Sequence, residues 1–105
     1  MDLSTISNQT ALAAITALQN GDKAAWAALF ADDAIMTDDG NSRDLAGFTS
    51  ASVGVEKFLT IDSVTNDGRH IVGDFNAGKW GKFKVFFRFT LGDDGKISRL
   101  DIGQA

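Results

Sequence analysis

Ten consecutive residues late in the chain, Lys82 to Leu91, alternate strictly. Phe83, Val85, Phe87, Phe89 and Leu91 fall on one side, and Lys82, Lys84, Phe86, Arg88 and Thr90 on the other. A period of two belongs to a β-strand, because successive side chains leave opposite faces of the pleat. The first row is apolar throughout and has to face a cover. The second row is polar except for Phe86, whose exposure on a free surface is unfavourable. A second copy stacking its sheet there, as a homodimer through the outer sheet face, is the expected cover.

The neighbouring segments supply the rest of a sheet. Lys57 to Thr65, Arg69 to Ala77 and Lys96 to Ile102 read as strands, punctuated by Asp67-Gly68 and Asp94-Gly95. Asp-Gly pairs suit hairpin turns because they tolerate positive φ. Gly78-Lys79-Trp80-Gly81 makes the remaining connection, and successive hairpins make an antiparallel meander.

The first third carries the cover. Ala11, Ala14, Ile15 and Leu18 recur at helical spacing, and Leu3 and Ile6 extend the stripe upstream. Asn20-Gly21 closes that helix, Asp22 is placed to cap the next, and Trp26, Leu29 and Phe30 give the second helix an apolar face. Ala34 to Thr37 reads as a short strand ending in the turn Asp38-Asp39-Gly40-Asn41. Ser42 is the expected cap of a third, weaker helix with Leu45 and Phe48 inward. The expectation is one α+β domain over residues 1–105, with three N-terminal helices packed on a curved antiparallel sheet.

Composition narrows the chemistry. With 105 residues there is room for one core, and a 44% apolar fraction is ordinary for a globular domain. The absence of cysteine excludes disulfides and thiolate metal sites and is in keeping with a reducing cytoplasm. A single histidine argues against a zinc or iron centre, so neither metal nor cofactor is expected. A net charge of −4 disfavours nucleic acid, and Lys79, Trp80, Lys82 and Lys84 are better read as a solvated hairpin than as a binding surface. No stretch approaches the roughly 18 apolar residues of a membrane span, so no membrane partner is expected.

The stretches Ala17-Leu18-Gln19-Asn20-Gly21-Asp22 and Ala28-Leu29-Phe30-Ala31-Asp32-Asp33-Ala34 resemble the nuclear-transport-factor-2-like superfamily, which includes ketosteroid-isomerase-like and SnoaL-like (polyketide-cyclase-like) proteins. Phe87-Arg88-Phe89 and Asp94-Gly95-Lys96-Ile97 match its later strands more loosely. The resemblance implies a cystatin-like cone, in which a strongly curved sheet wraps a long helix and leaves a pocket between them, commonly in a homodimer.

It also implies a proton acceptor. Asp38 stands eight residues after Phe30, where the isomerases carry the general base that moves a proton alpha to a carbonyl. The turn Asp38-Asp39-Gly40-Asn41 already accounts for the same residue and is the stronger account of it. The isomerases' oxyanion donors have no counterpart: the chain lacks tyrosine, and the matching positions hold Ala14 and Val85. A true ketosteroid isomerase is therefore not expected.

Arg99 and Asp101 faintly echo the Arg-Asp set of limonene-epoxide hydrolases, with Asp38 or Asp62 needed as a further carboxylate; a cross-strand ion pair at an exposed sheet end is the better account. His70 shares a strand face with Asp74 and Asn76, of interest only if that face points inward. Asp32 and Asp33 look like paired carboxylates but adjoin a helix C-terminus, and are read as turning the chain into the short strand. Asn8-Gln9-Thr10 matches a glycosylation sequon but falls within the expected first helix and is set aside.

The leading functional expectation is a small-molecule pocket protein, isomerase-like or cyclase-like, acting on an apolar carbonyl compound with Asp38 as proton acceptor. Its pocket wall would be Trp26, Phe30, Phe48 and Phe58 from the first part and Phe83, Val85, Phe87 and Phe89 from the long strand. A noncatalytic binder of an apolar ligand and a homodimerising interaction module are the alternatives.

Overall fold

The computed structural model describes all of residues 1–105. Helix α1 (Gln9–Asn20) and helix α2 (Lys23–Ala28) lead into strand β1 (Phe30–Asp38), the short β2 (Asn41–Arg43) and helix α3 (Leu45–Ser52). Strands β3 (Lys57–Phe58), β4 (Ser63–Thr65), β5 (His70–Asn76), β6 (Lys82–Leu91) and β7 (Ile97–Gln104) follow, with a 3-10 turn at Gly78–Trp80. The sheet runs β2-β1-β7-β6-β5-β3, and β4 also pairs with β5. All pairings are antiparallel except β1 with β7, which run parallel and join the two halves of the chain.

The helical reading holds in its core and shifts at its edges. Ala11, Ala14, Ile15 and Leu18 are buried, whereas α1 begins only at Gln9. There Asn8 accepts a hydrogen bond from the Ala11 amide at 2.9 Å, a side-chain cap that satisfies one orphan donor of the first turn. Ile6 is buried from the loop that precedes the helix rather than from the helix itself. At the other end Gly21 takes φ +68°, and Asp22 caps α2 by accepting from the Ala25 amide.

Three expectations fail for identifiable reasons. Phe30 does not end the second helix but opens β1, which is nine residues long instead of four. Asp32 and Asp33 therefore lie within that strand, exposed, in a stretch where the register against β7 slips between Phe30 and Ile35. Ser42 is not a helix cap: it sits in β2 opposite Thr37, and Asp44 caps α3 by accepting from the Gly47 amide. The segment from Lys57 to Thr65 is two strands with a break at Thr60, because the chain there presses on Gly73 of β5. A Cβ on Gly73 would lie 2.0 Å from the Thr60 carbonyl oxygen, so only glycine fits.

The inward row of β6 meets the helices as expected: Val85, Phe87 and Phe89 are buried and Phe83 and Leu91 partly so. Phe58, Phe75 and Phe87 pack edge-on or tilted with centroids 5.0–5.5 Å apart, distances at which aromatic pairs attract beyond their area. Gln19 clamps α1 to β3, donating to the Phe58 carbonyl at 3.0 Å and accepting from the Phe58 amide at 2.8 Å. On the outer face Phe86 is not bare. His70 stacks on it at 5.6 Å and the Arg88 guanidinium lies 5.5 Å from its centre, so part of the cover expected from a second copy comes from the same chain.

Candidate functional site

The aromatic core does not fill the space between sheet and helices uniformly. Near the end of β1 a hollow of about 320 Å3 remains. Its floor is the inner face of the sheet, with Phe75 of β5, Phe83, Val85 and Phe87 of β6 and Ile102 of β7. Its mouth is formed by Asp38, Asp39 and Arg43 of the β1–β2 hairpin, Glu56 after α3, and Trp80 of the 3-10 turn.

Each mouth residue owes its position to local geometry. Asp39 and Gly40 have φ +50° and +83° and make a two-residue hairpin turn, which sets Asn41 opposite Asp38. Asp39 then pins the hairpin to the end of β7: its amide donates to the Ile102 carbonyl at 2.9 Å and its Oδ1 accepts from the Gln104 amide at 2.8 Å. Asp38 shares the inward face of β1 with buried Met36, while Thr37 points outward and donates to Asp101. Arg43 reaches back so that one guanidinium nitrogen donates to Asp38 Oδ2 at 2.7 Å, while the guanidinium carbon lies 5.0 Å from the Phe48 ring centre.

Asp38 Oδ1 has no hydrogen-bond partner in the protein, and one oxygen of a carboxylate facing an apolar cavity is therefore open to a ligand. Asp38 and Arg43 are about one-third exposed, at 36% and 34% of their side chains. Glu56 lines the same hollow with a carboxylate that makes no ion pair or hydrogen bond.

The eight expected wall residues divide. Phe83, Val85 and Phe87 line the hollow together with Asp38. Trp26, Phe48, Phe58 and Phe89 are core rings that touch no cavity wall there, and Phe30 lines a different groove. That groove, of about 560 Å3, lies beyond Arg43 between α2, α3, β1 and β2. It is larger, and the short side chains Ala27, Ala31, Ala34 and Ala46 form part of its wall. Phe75, Arg43, Glu56 and Trp80 were not expected at the site. Three of these lie in short or irregular segments, which carry no periodic signal, while Phe75 sits in an alternating strand whose inward face was legible.

The remaining candidates fall on the far side of the sheet. His70, Asp74 and Asn76 alternate outward, with His70 opposite Arg88 and Asp74 opposite Lys84. Asp62 is paired with Lys84, which also contacts Asp74 at 3.1 Å. Asp101 is only 5% exposed. It accepts from Thr37 Oγ1 at 2.5 Å and from Arg99 Nε at 3.0 Å, with Arg88 at 3.6 Å. Burial pushes its carboxyl upward, but the Arg99 and Thr37 hydrogen bonds and the two guanidinium charges outweigh it and hold the group below the usual carboxylate range. Asp38 faces inward and Arg99 and Asp101 outward, so the sheet separates them, and Asp62 is held by Lys84; no Asp-Arg-Asp set forms.

No protein-family model matches the chain, and no curated protein matches it in sequence. Solved structures do match in shape. An NTF2-like protein of unknown function from Cytophaga hutchinsonii superposes with TM-score 0.76 at 14% identity, over 100% of this chain and 95% of that one. A candidate polyketide cyclase from Sinorhizobium meliloti gives 0.69 at 22% identity, over 89% and 92%. The canthaxanthin-binding orange carotenoid protein from Anabaena gives 0.72 at 19% identity, over 97% of this chain but 38% of that longer one. The helices on an open, mostly antiparallel sheet, together with these superpositions, establish that the chain has the nuclear-transport-factor-2-like, cystatin-like fold that its sequence resemblance implied.

Proposed function

We propose that the hollow beneath Asp38 binds an apolar small molecule bearing a carbonyl group, and that Asp38 accepts a proton from it in an isomerase-like or cyclase-like reaction. The observation that carries this reading is the meeting of a carboxylate having one unengaged oxygen with the apolar floor of Phe83, Val85 and Phe87. Such a floor holds the body of a ligand, and a few polar groups at the mouth set its orientation. Arg43 adds what the isomerase pattern lacked at Ala14 and Val85. Only one of its guanidinium N–H groups is engaged by Asp38, which leaves others to meet an oxygen that gains negative charge. The candidate polyketide cyclase and the carotenoid-binding protein of the same fold lend support at the level of fold alone.

The ion pair between Asp38 and Arg43 favours a second reading, in which the pair only orients a ligand and no reaction follows. A thermal-shift screen against steroids, aromatic polyketides, terpenoid epoxides and fatty acids identifies the ligand class. With a hit in hand, Asp38→Asn should abolish turnover while leaving affinity within about threefold. A hit that raises the melting temperature of the native chain but never yields product selects the binder.

A further inference from the structure

The polar groups at the mouth are unequal in one respect: three are engaged and one is not. Asp38 and Arg43 neutralise each other at 2.7 Å, and Asp39 accepts the Gln104 amide. Glu56 keeps a whole negative charge facing the hollow without a partner. Across the mouth stands Trp80, 71% exposed, an unusual setting for the largest apolar side chain. The Lys79 ammonium lies 5.2 Å from the centre of that ring, over its face and not on Glu56, so the ring already attracts an ammonium within the chain. Glu56, Trp80, Ala77 and Arg43 also line an adjoining groove, which makes the region between carboxylate and indole continuous with the hollow.

We infer that the ligand carries an ammonium group beside its apolar body, seated between the Glu56 carboxylate and the Trp80 ring. This deepens the reading above and rests on it. An anionic head would meet the Asp38 and Glu56 carboxylates against a guanidinium that is already paired and a Lys79 ammonium already seated on Trp80. A neutral head would leave Glu56 without a partner as it is covered, which opposes binding. The net charge of −4 favours approach of a cation.

The test uses three probes of one shape: naphthylmethylammonium, neutral naphthylmethanol and anionic naphthoate. Affinities are measured by calorimetry, and the site is read from the NMR signals of the Trp80 indole N–H and the Phe83 and Val85 amides. The ammonium should bind about three- to tenfold more tightly than the alcohol and shift the Trp80 signal, with that of buried Trp26 unmoved. Glu56→Gln, whose side chain makes no contact in the fold to lose, should erase this preference by weakening the ammonium and strengthening the alcohol. Trp80→Ala should weaken the ammonium about two- to fivefold. Equal affinities for all three probes, tightest binding of the naphthoate, or a preference that survives Glu56→Gln would each overturn the inference while leaving the hollow a binding site. If no probe perturbs Phe83 or Val85, the hollow itself is not the site and the underlying reading falls.

Discussion

Asp101 is the residue whose environment departs furthest from its place in the sequence. An alternating strand assigns it to the outer face, where a carboxylate is ordinarily hydrated, yet Thr37, Arg99 and Arg88 enclose it. Its lowered proton affinity in the folded state stabilises the fold above the ordinary carboxylate value of 3.8. That contribution is lost as pH falls below this value through the lower folded one. Asp101→Asn should therefore destabilise the protein by about 1–3 kcal/mol at neutral pH. In chemical denaturation the gap to the native chain should narrow steadily as the pH drops below 3.8. A gap independent of pH would assign the loss to packing. The rings show the limit of reading single residues. Phe83 and Phe89 belong to one row of one strand, yet the first lines the hollow and the second is sealed in the core. Residue type and alternation specify the face of a sheet but not the position along it at which the helices stop covering it.

Among the elements, the strongly periodic ones were legible and the short ones were not. The strand Lys82–Leu91 and the helix ending at Gly21 announced themselves through ten residues of alternation and a left-handed cap. Strand β2 did not, since Asn41, Ser42 and Arg43 have the composition of a turn and pair with β1 only because the Asp39-Gly40 corner reverses the chain tightly. That misreading moved the cap of α3 by two residues and hid Arg43 from the site. The corrected assignment has a measurable consequence. Asp44→Ala should lower stability by about 1 kcal/mol through loss of the bond to the Gly47 amide, whereas Ser42→Ala, exposed in β2, should change the denaturation midpoint little. The reverse ranking would restore Ser42 as the cap. The site shares this division between elements. Its floor comes from three regular strands, β5, β6 and β7, whose alternation is legible, while its mouth comes from a hairpin corner, a helix exit and a 3-10 turn.

For the molecule as a whole, the two faces of the sheet are separate surfaces. The inner face carries the hollow, and the outer face presents Phe86 among Lys84, Arg88 and Arg99 of one sign and Asp62, Asp74 and Asp101 of the other. A surface carrying both signs can meet a copy of itself about a two-fold axis. If two chains pair there, sedimentation should report a dimer for the native chain and a monomer for Phe86→Lys, with affinity at the hollow unchanged because the sheet lies between. A native monomer would end that proposal without touching the hollow. The parallel seam of β1 against β7 reaches further. Asp38 lies beside Ile102 there, 64 positions away, so the β1–β2 hairpin that holds Asp38 cannot join the rest of the sheet until β7 has been synthesised. Early intermediates can assemble the helices and the local hairpins, but ligand capture should wait for β7, and nascent chains lacking it should show none.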